Sequence, residues 1–236
     1  MIDVLTEIKV LSTHAVIEVL AEFAPAFEKE TGHTFTCAYN PTAVIKREIE
    51  AGTAFDVAII TKAAIAELAK QGKILGGGCK GIACCGLGIS VRADAPKPDI
   101  STVDMFKRTL LSAKSIVHSR DGVSGQYFET LIERLGIADT LRSKIVVGPG
   151  GRVGELIVRG DAEIAVQQIP ELMSVVGAGF VGPLPQELQL YTYFAAGVAA
   201  ASNVRNSAQA FVDMLAAPSA APLLKAKGLE PIPAGA

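Results

Sequence analysis

The sequence predicts an α/β protein of two lobes, and three observations carry that prediction. Strand and helix patterns alternate three times within the first seventy residues, the mark of a mostly parallel sheet covered by helices. The rhythm breaks at RADAPKPDIS, from Arg92 to Ser101, and then restarts. The chain has 236 residues, 50% of them hydrophobic and 19% charged, enough to bury one large core or two small ones.

Ile8–Leu11 is a short apolar strand that stops at Ser12, Thr13 and His14. Apolar residues then return at helical spacing (Ile17, Leu20, Phe23, Ala24, Phe27), so His14–Glu30 reads as a helix closed by Gly32. Pro25 has no N–H to donate and should kink or split that helix. Thr34–Tyr39 is a strand. Asn40 as N-cap, Pro41 in the first turn and Gly52 past the end bound the next helix. Val57–Ile60 is a buried strand, and Thr61 is placed to cap a helix that ends near Gly72. Gly81–Val91 reads as one long apolar strand.

Beyond the break, Ser115–Ser119 is a strand and Ser124–Leu135 a helix stopped by Gly136. Lys144–Gly148, Val153–Arg159 and Glu163–Gln167 follow as strand, helix and strand. VGPLPQEL is irregular, Tyr191–Ala200 is strand-like, and NVRNSAQAFVDMLAAP and APLLKAKG read as terminal helices. The expected lobes are residues 1–91 with 190–236, and residues 92–189. A chain that leaves one lobe, builds a second and returns makes a cleft. Clefts between lobes, and the space beyond the carboxyl ends of parallel strands, are preferred ligand sites.

Composition excludes several classes. A net charge of −2 argues against a nucleic-acid surface. The absence of Trp leaves few stacking platforms. No run approaches the length of a membrane span, so no membrane insertion is expected. MIDVLTEIKV has neither the basic start nor the apolar core of a signal peptide, so the expected location is cytoplasmic as written, or periplasmic if a leader has been removed. Cys37, Cys79, Cys84 and Cys85 have no zinc-type spacing, and Cys84-Cys85, in an apolar run, read as small buried hydrophobes. No metal and no cofactor is expected.

Residues at the predicted strand ends share one chemistry. Ser12, Thr13 and His14 stand where a strand hands over to a helix, where free backbone N–H groups and the helix dipole favour an anion. The plain alternative makes Thr13 only an N-cap. Asn40 and Thr42 stand at the second helix start. VHSRDGVSGQYF repeats the pattern with His118 and Ser119, then Ser124, Gly125 and Gln126. VVGPGGRVG either forms an anion nest or is a flexible connection; no G-K-[ST] follows, so it is not a Walker loop. Gln167 and Gln168 end another strand. Arg92 closes the long strand, either gripping a carboxylate or solvated at the surface.

The blocks IKVLSTHAVIEVLAEFAPAFEKETGHTFT, AVIKREIEAGTAFDVAII, SGQYFETLIERLGI and ELIVRGDAEIAVQQIPEL resemble the type 2 periplasmic binding proteins, in the molybdate-binding-protein-like branch. The resemblance implies two lobes closing on a small anionic ligand. The molybdate-binding members hold their oxyanion with neutral donors: a serine after the first strand, a serine after the second, a helix start in the second lobe, and a later tyrosine. Ser12 matches the first, Asn40 or Thr42 replaces the second, and VSGQY matches the helix start. Gln167 or Gln168 stands where the tyrosine would be. His14, Arg92 and His118 therefore suit an organic di- or tricarboxylate better than molybdate. An ABC permease would be the partner of an exported protein only. A second expectation is an isomerase of an unsaturated tricarboxylic acid, since aconitate isomerase resembles this branch. His14 or His118 would be its base. A transcription regulator's effector domain shares the fold but would need a DNA-reading module that the chain does not show.

Overall fold

A computed structural model describes residues 6–232. Residues 1–5 and 233–236 lie outside the described residues, and with them the start of the N-terminal segment read above. In chain order the main elements are β1 (Glu7–Ser12), a 3-10 turn (His14–Val16), α1 (Ile17–Thr31), β2 (Thr34–Tyr39), α2 (Thr42–Glu50), β3 (Val57–Thr61), α3 (Lys62–Lys70), β4 (Lys80–Cys85) and β5 (Leu87–Arg92). Then come α4 (Val103–Ser112), β6 (Ile116–Ser119), α5 (Val123–Arg134), α6 (Ala138–Leu141), β7 (Ile145–Gly148), α7 (Gly154–Arg159), β8 (Ile164–Gln168) and α8 (Ile169–Met173). β9 (Ala178–Pro183), β10 (Thr192–Val198), α9 (Arg205–Leu215), α10 (Ala221–Ala226) and β11 (Glu230–Pro231) complete the fold. The chain forms two compact units: one runs to Cys84 and resumes at Tyr193, and the other is Cys85–Thr192.

The first unit has a six-stranded sheet in the order β11-β4-β10-β3-β1-β2. β1 is parallel to both β2 and β3, and β10 is antiparallel to β3. On one side α1 buries Val19, Leu20, Phe23 and Phe27. Their rings meet Phe35 and Phe211, with Phe35 and Phe211 centroids 4.9 Å apart. On the other side α2 and α3 place Ile45, Ile49, Ile65 and Leu68 against Ala58 and Ile60. Contrary to the expectation for Pro25, α1 runs through it unbroken. Pro25 and Ala21, whose carbonyl loses its helical partner, are both exposed, so that carbonyl is open to solvent and the lost bond costs little. The second helix also differs at its start: Pro41, not Asn40, is the N-cap.

The second unit has a five-stranded sheet in the order β7-β6-β8-β5-β9. β6 is parallel to β7 and β8, while β5 runs antiparallel to β8 and β9. Phe106 of α4 and Phe128 of α5 fill one face, and Val117, Val153, Ile157 and Leu172 fill the other. α4, absent from the sequence reading, starts at Thr102, whose hydroxyl accepts the Met105 N–H at 3.2 Å.

The predicted single strand Gly81–Val91 is two strands. It breaks at Gly86, and β5 joins the second unit because it pairs with β8 and β9. The boundary therefore falls before β5 rather than after Val91, and the return falls after Thr192 rather than at residue 189. At the break the Gln189 amide acts as a strand partner. Its Oε1 accepts the Leu87 N–H at 2.7 Å and its Nε2 donates to the Leu87 carbonyl at 2.9 Å. Gly86 leaves room for that amide, since a β-carbon there would lie 2.7 Å from the Gln189 amide carbon. No helix of the described residues is long and apolar enough to cross a membrane.

Candidate functional site

In the first unit the parallel strands end at Ser12, Tyr39 and Thr61. Ser12 pairs in register with Tyr39 and with Ile59. Ser12 is fully buried and its hydroxyl leans on the Thr13 carbonyl at 3.2 Å. The Thr13 N–H goes to the Ile59 carbonyl at 3.0 Å, so its backbone continues the sheet. Its hydroxyl does something else. Thr13 begins the 3-10 turn without capping it, and its Oγ1 is buried with no hydrogen-bond partner. His14 follows, half-buried, with its ring 6.4 Å from that of Tyr39. Burial, then the neighbouring Cys37, push the Tyr39 phenol upward, so it stays neutral.

The other two first-unit residues are partly committed to structure. The Asn40 amide donates to Glu48 at 3.3 Å, and its N–H bonds the Ser12 carbonyl at 3.1 Å. The Thr42 hydroxyl accepts the Thr61 N–H at 3.4 Å, which ties the start of α2 to the end of β3. The first intrahelical bond of α2 is made by Val44, to the Pro41 carbonyl at 2.9 Å. The N–H groups of Thr42 and Ala43 therefore open the helix toward the strand ends.

The second unit repeats the arrangement more tightly. β6 ends at Ser119, and α5 begins four residues later with Gly122 as N-cap. The Ser119 hydroxyl is buried and has no hydrogen-bond partner. Two glycines let the helix start sit on it. A β-carbon on Gly122 would come 2.3 Å from Ser119 Oγ, and one on Gly125 would come 1.8 Å from the Ser119 carbonyl oxygen. Ser124 is buried in the first turn, and Gln126 is exposed. The Gly125 and Gln126 N–H groups both turn back to the Gly122 carbonyl, at 3.1 and 3.2 Å. Val123 and Ser124 thus lead the helix with their N–H groups ahead of the ladder.

Three sequence-predicted residues lie elsewhere. Arg92 ends β5, which is antiparallel to β8; Leu87 pairs with Gln168 and Ser90 with Ala165. The start of β5, not its end, therefore shares an edge with Ser119 and Gln168. Arg92 is at the opposite edge, 2.5 Å from Asp94 and beside Lys114, Ser115 and Glu163. His118 is 1% exposed. It lies on the same face of β6 as Ile116, under α5, with its ring 5.6 Å from Phe128 and its Nε2 3.4 Å from Glu129. That distance brings a charge near but makes no hydrogen bond, since Nε2 is otherwise unpartnered. The proposed base is thus sealed in the core. Gln167 is also spent: its Oε1 accepts the Val153 N–H at 3.2 Å and its Nε2 donates to the Gly151 carbonyl at 2.5 Å. It shapes the glycine-rich loop. Gln168, the N-cap of α8, stands at the strand end.

Two residues of this region escaped the sequence reading. By its sequence Tyr39 is only the last residue of a strand. Glu171, in the first turn of α8, is buried, and burial pushes its carboxyl up to about 8 against hydrogen bonds from the Gln167 side chain and the Gln168 backbone. An acid in a first helical turn usually faces water, and nothing in QQIPEL signals otherwise.

The model of the family described as bacterial extracellular solute-binding protein matches residues 8–230. The chain belongs to that family. Among curated relatives, an aconitate isomerase from a Pseudomonas species is 31% identical over 235 residues, covering 97% of this chain and 89% of the relative. Among solved structures, the Azotobacter vinelandii periplasmic molybdate-binding protein superposes with a TM-score of 0.79 at 19% identity, over 94% of this chain and 98% of that one. The Mycobacterium tuberculosis sulfate-binding protein SubI gives 0.78 at 18% identity, over 97% and 88%. The fold is thus that of the periplasmic binding proteins, as the sequence blocks implied.

Proposed function

We propose that the chain binds a small anion, an organic di- or tricarboxylate or a tetrahedral oxyanion, through neutral donors at the carboxyl ends of its parallel strands. The donors of the first unit are Thr13, His14, Tyr39 and the start of α2. Those of the second are Ser119, Ser124, Gln168 and the start of α5. One observation carries the reading. Thr13, one residue past β1, and Ser119, the last residue of β6, each stand where a parallel strand gives way to a helical segment, and each hydroxyl is buried without a partner. Buried polar groups are nearly always hydrogen-bonded, and leaving one unmade costs about 1–3 kcal/mol. A hydroxyl kept so is fit to bond a ligand. The relatives named for molybdate and sulfate support an oxyanion; the aconitate isomerase supports a tricarboxylate. In an exported form the partner would be an ABC permease.

A thermal-shift panel of molybdate, tungstate, sulfate, citrate and cis- and trans-aconitate tests this. A ligand at 100 times its Kd stabilises by about 2.7 kcal/mol. A melting temperature unmoved by every member of the panel would sink the reading.

A second reading is isomerisation of an unsaturated tricarboxylic acid, favoured by the 31% identity to aconitate isomerase over nearly the whole chain. A base would take a proton from a carbon next to a carboxylate. Donors would hold the resulting dienolate, and the proton would return at another carbon. With His118 sealed under α5, His14 is the base this reading needs.

A further inference from the structure

His118 is buried, and each of its ring nitrogens faces a polar atom. Nδ1 lies 3.1 Å from the Ser119 carbonyl oxygen. A carbonyl only accepts, so Nδ1 carries a proton and donates it. Nε2 lies 3.4 Å from Glu129 Oε1, with no hydrogen bond to it. In the neutral ring Nε2 therefore turns a lone pair toward a carboxylate. In the imidazolium it turns an N–H, and both nitrogens then face acceptors. The strands beside β6 bring no other charge, since β7 and β8 carry no ionisable residue. The turn carries Arg120 and Asp121, α5 carries Tyr127, Glu133 and Arg134, and α7 carries Glu155 and Arg159. The Tyr127 hydroxyl donates to the Leu188 carbonyl at 2.9 Å, and Arg159 pairs with Asp161 at 3.0 Å. Glu129 is the one placed at the ring.

The bonded carbonyl belongs to the peptide that follows Ser119. The N–H of that peptide, on Arg120, bonds the Gly148 carbonyl at 3.1 Å. The Ser119–Arg120 peptide is thus held at both polar groups, by His118 and by the end of β7. Gly125 covers the first of these bonds. A β-carbon there would come 1.8 Å from the Ser119 carbonyl oxygen and 2.9 Å from His118 Nδ1. His118, Ser119 and Gly125 are all buried, and a hydrogen bond in a dry site is strengthened. Fixing this peptide fixes the backbone that carries the Ser119 hydroxyl, which has no partner of its own. A donor held in place before its ligand arrives loses less freedom on binding.

We propose that His118 is a positioning residue for the anion donors of the second unit: its Nδ1–H holds the Ser119 carbonyl from within the core, and a proton on Nε2, facing Glu129, sets a positive charge one residue from the Ser119 hydroxyl. The anion and that proton then favour each other's binding. Affinity is greatest with the ring charged and falls as pH rises through the ring's titration. The consequence for affinity rests on the anion reading above; the hold on the Ser119 carbonyl does not.

The test uses the full chain labelled with nitrogen-15. Two-bond nitrogen–proton correlations of the His118 ring should show a proton on Nδ1 at every pH and one on Nε2 at low pH only. The Arg120 amide, part of the held peptide, should shift as the ring titrates. In Glu129→Gln the ring should give up its Nε2 proton at lower pH, because its anionic partner is gone. A neutral ring protonated on Nε2, or an Arg120 amide that ignores the ring, would overturn the hold. A ring that titrates alike in Glu129→Gln would take Glu129 out of it. Calorimetric titration with sulfate and with trans-aconitate reads the consequence. The wild type should bind about tenfold more tightly with the ring charged than with it neutral. His118→Asn, whose amide N–H stands in for Nδ1–H, should keep the alkaline affinity of the wild type and lose this part of the pH dependence. His14 and trans-aconitate titrate in both proteins, so the difference isolates His118. His118→Leu should bind more weakly at every pH. Wild-type affinity that follows pH no more than that of His118→Asn would remove the charge effect, and equal affinity in the asparagine and leucine variants would remove the positioning. Binding of neither probe would count against the anion reading, and the ring and Arg120 signals would still decide the hold.

Discussion

The carbonyl oxygen of Ser119 lies 1.8 Å from the point that a β-carbon on Gly125 would occupy. The start of α5 is therefore pressed onto the end of β6 as closely as a polypeptide allows. Gly125→Ala must push the helix start away from the strand. Overpacking of this kind costs about 1–3 kcal/mol, or several degrees of melting temperature in a chain of this size. Affinity for any anion held by the Val123 and Ser124 N–H groups should fall with it. An alanine variant that melts with the wild type would show slack in this turn.

Thr13→Val and Ser119→Ala should separate stability from function. Each removes a buried hydroxyl that has no protein partner. The unliganded protein should melt at the same temperature or higher, since an unmade bond costs about 1–3 kcal/mol. Anion affinity should drop about tenfold or more for each, the worth of one hydrogen bond to a charged group. A variant that loses stability and keeps affinity would place the hydroxyl in the fold rather than in the site.

Arg92→Ala should leave carboxylate and oxyanion affinity alike. The guanidinium sits with Asp94 at the edge of the sheet opposite Gln168, and exposed pairs of this kind contribute little. Isothermal titration of the variant with trans-aconitate and with molybdate checks this. A selective loss of carboxylate binding would return Arg92 to the ligand.

The two histidines should part in a proton-exchange assay. Incubation with trans-aconitate in deuterium oxide, followed by proton NMR, reads deuterium entering the methylene and vinyl positions. Exchange should be lost in His14→Ala and kept in His118→Gln, because His118 is 1% exposed beneath Phe128 and Glu129. Tight binding with no exchange in the wild type would leave a binding protein alone.

The course of the chain was readable because the βα units obey simple rules. Gly32, Gly72, Gly136 and Gly160 end helices or turns at positive φ, and apolar spacing places Leu20, Phe23 and Phe27 on one face. Strand direction was not readable. Periodicity is the same for a parallel and an antiparallel strand, so Arg92 looked like a strand-end residue at the ligand edge. Side-chain commitments were equally silent: Gln167 and Gln168 are neighbours of one type, yet the first closes a loop and the second ends at the edge. His118 shows the limit of reading by position, since one step along a strand turns a side chain to the other face. Glu171 was missed because its burial is set by helix packing far along the chain.

The pairing of the Gln189 amide with both polar groups of the Leu87 backbone has a consequence for genetics. It brings the entry and the exit of the Cys85–Thr192 segment side by side, so that segment is topologically an insertion. On the other side of the junction β4 and β10 are adjacent strands, so the host's two pieces also meet. A gene with codons 85–192 replaced by a short flexible spacer should therefore still yield a folded product. The excised cassette, or a circular permutant opened inside it, should fold as well.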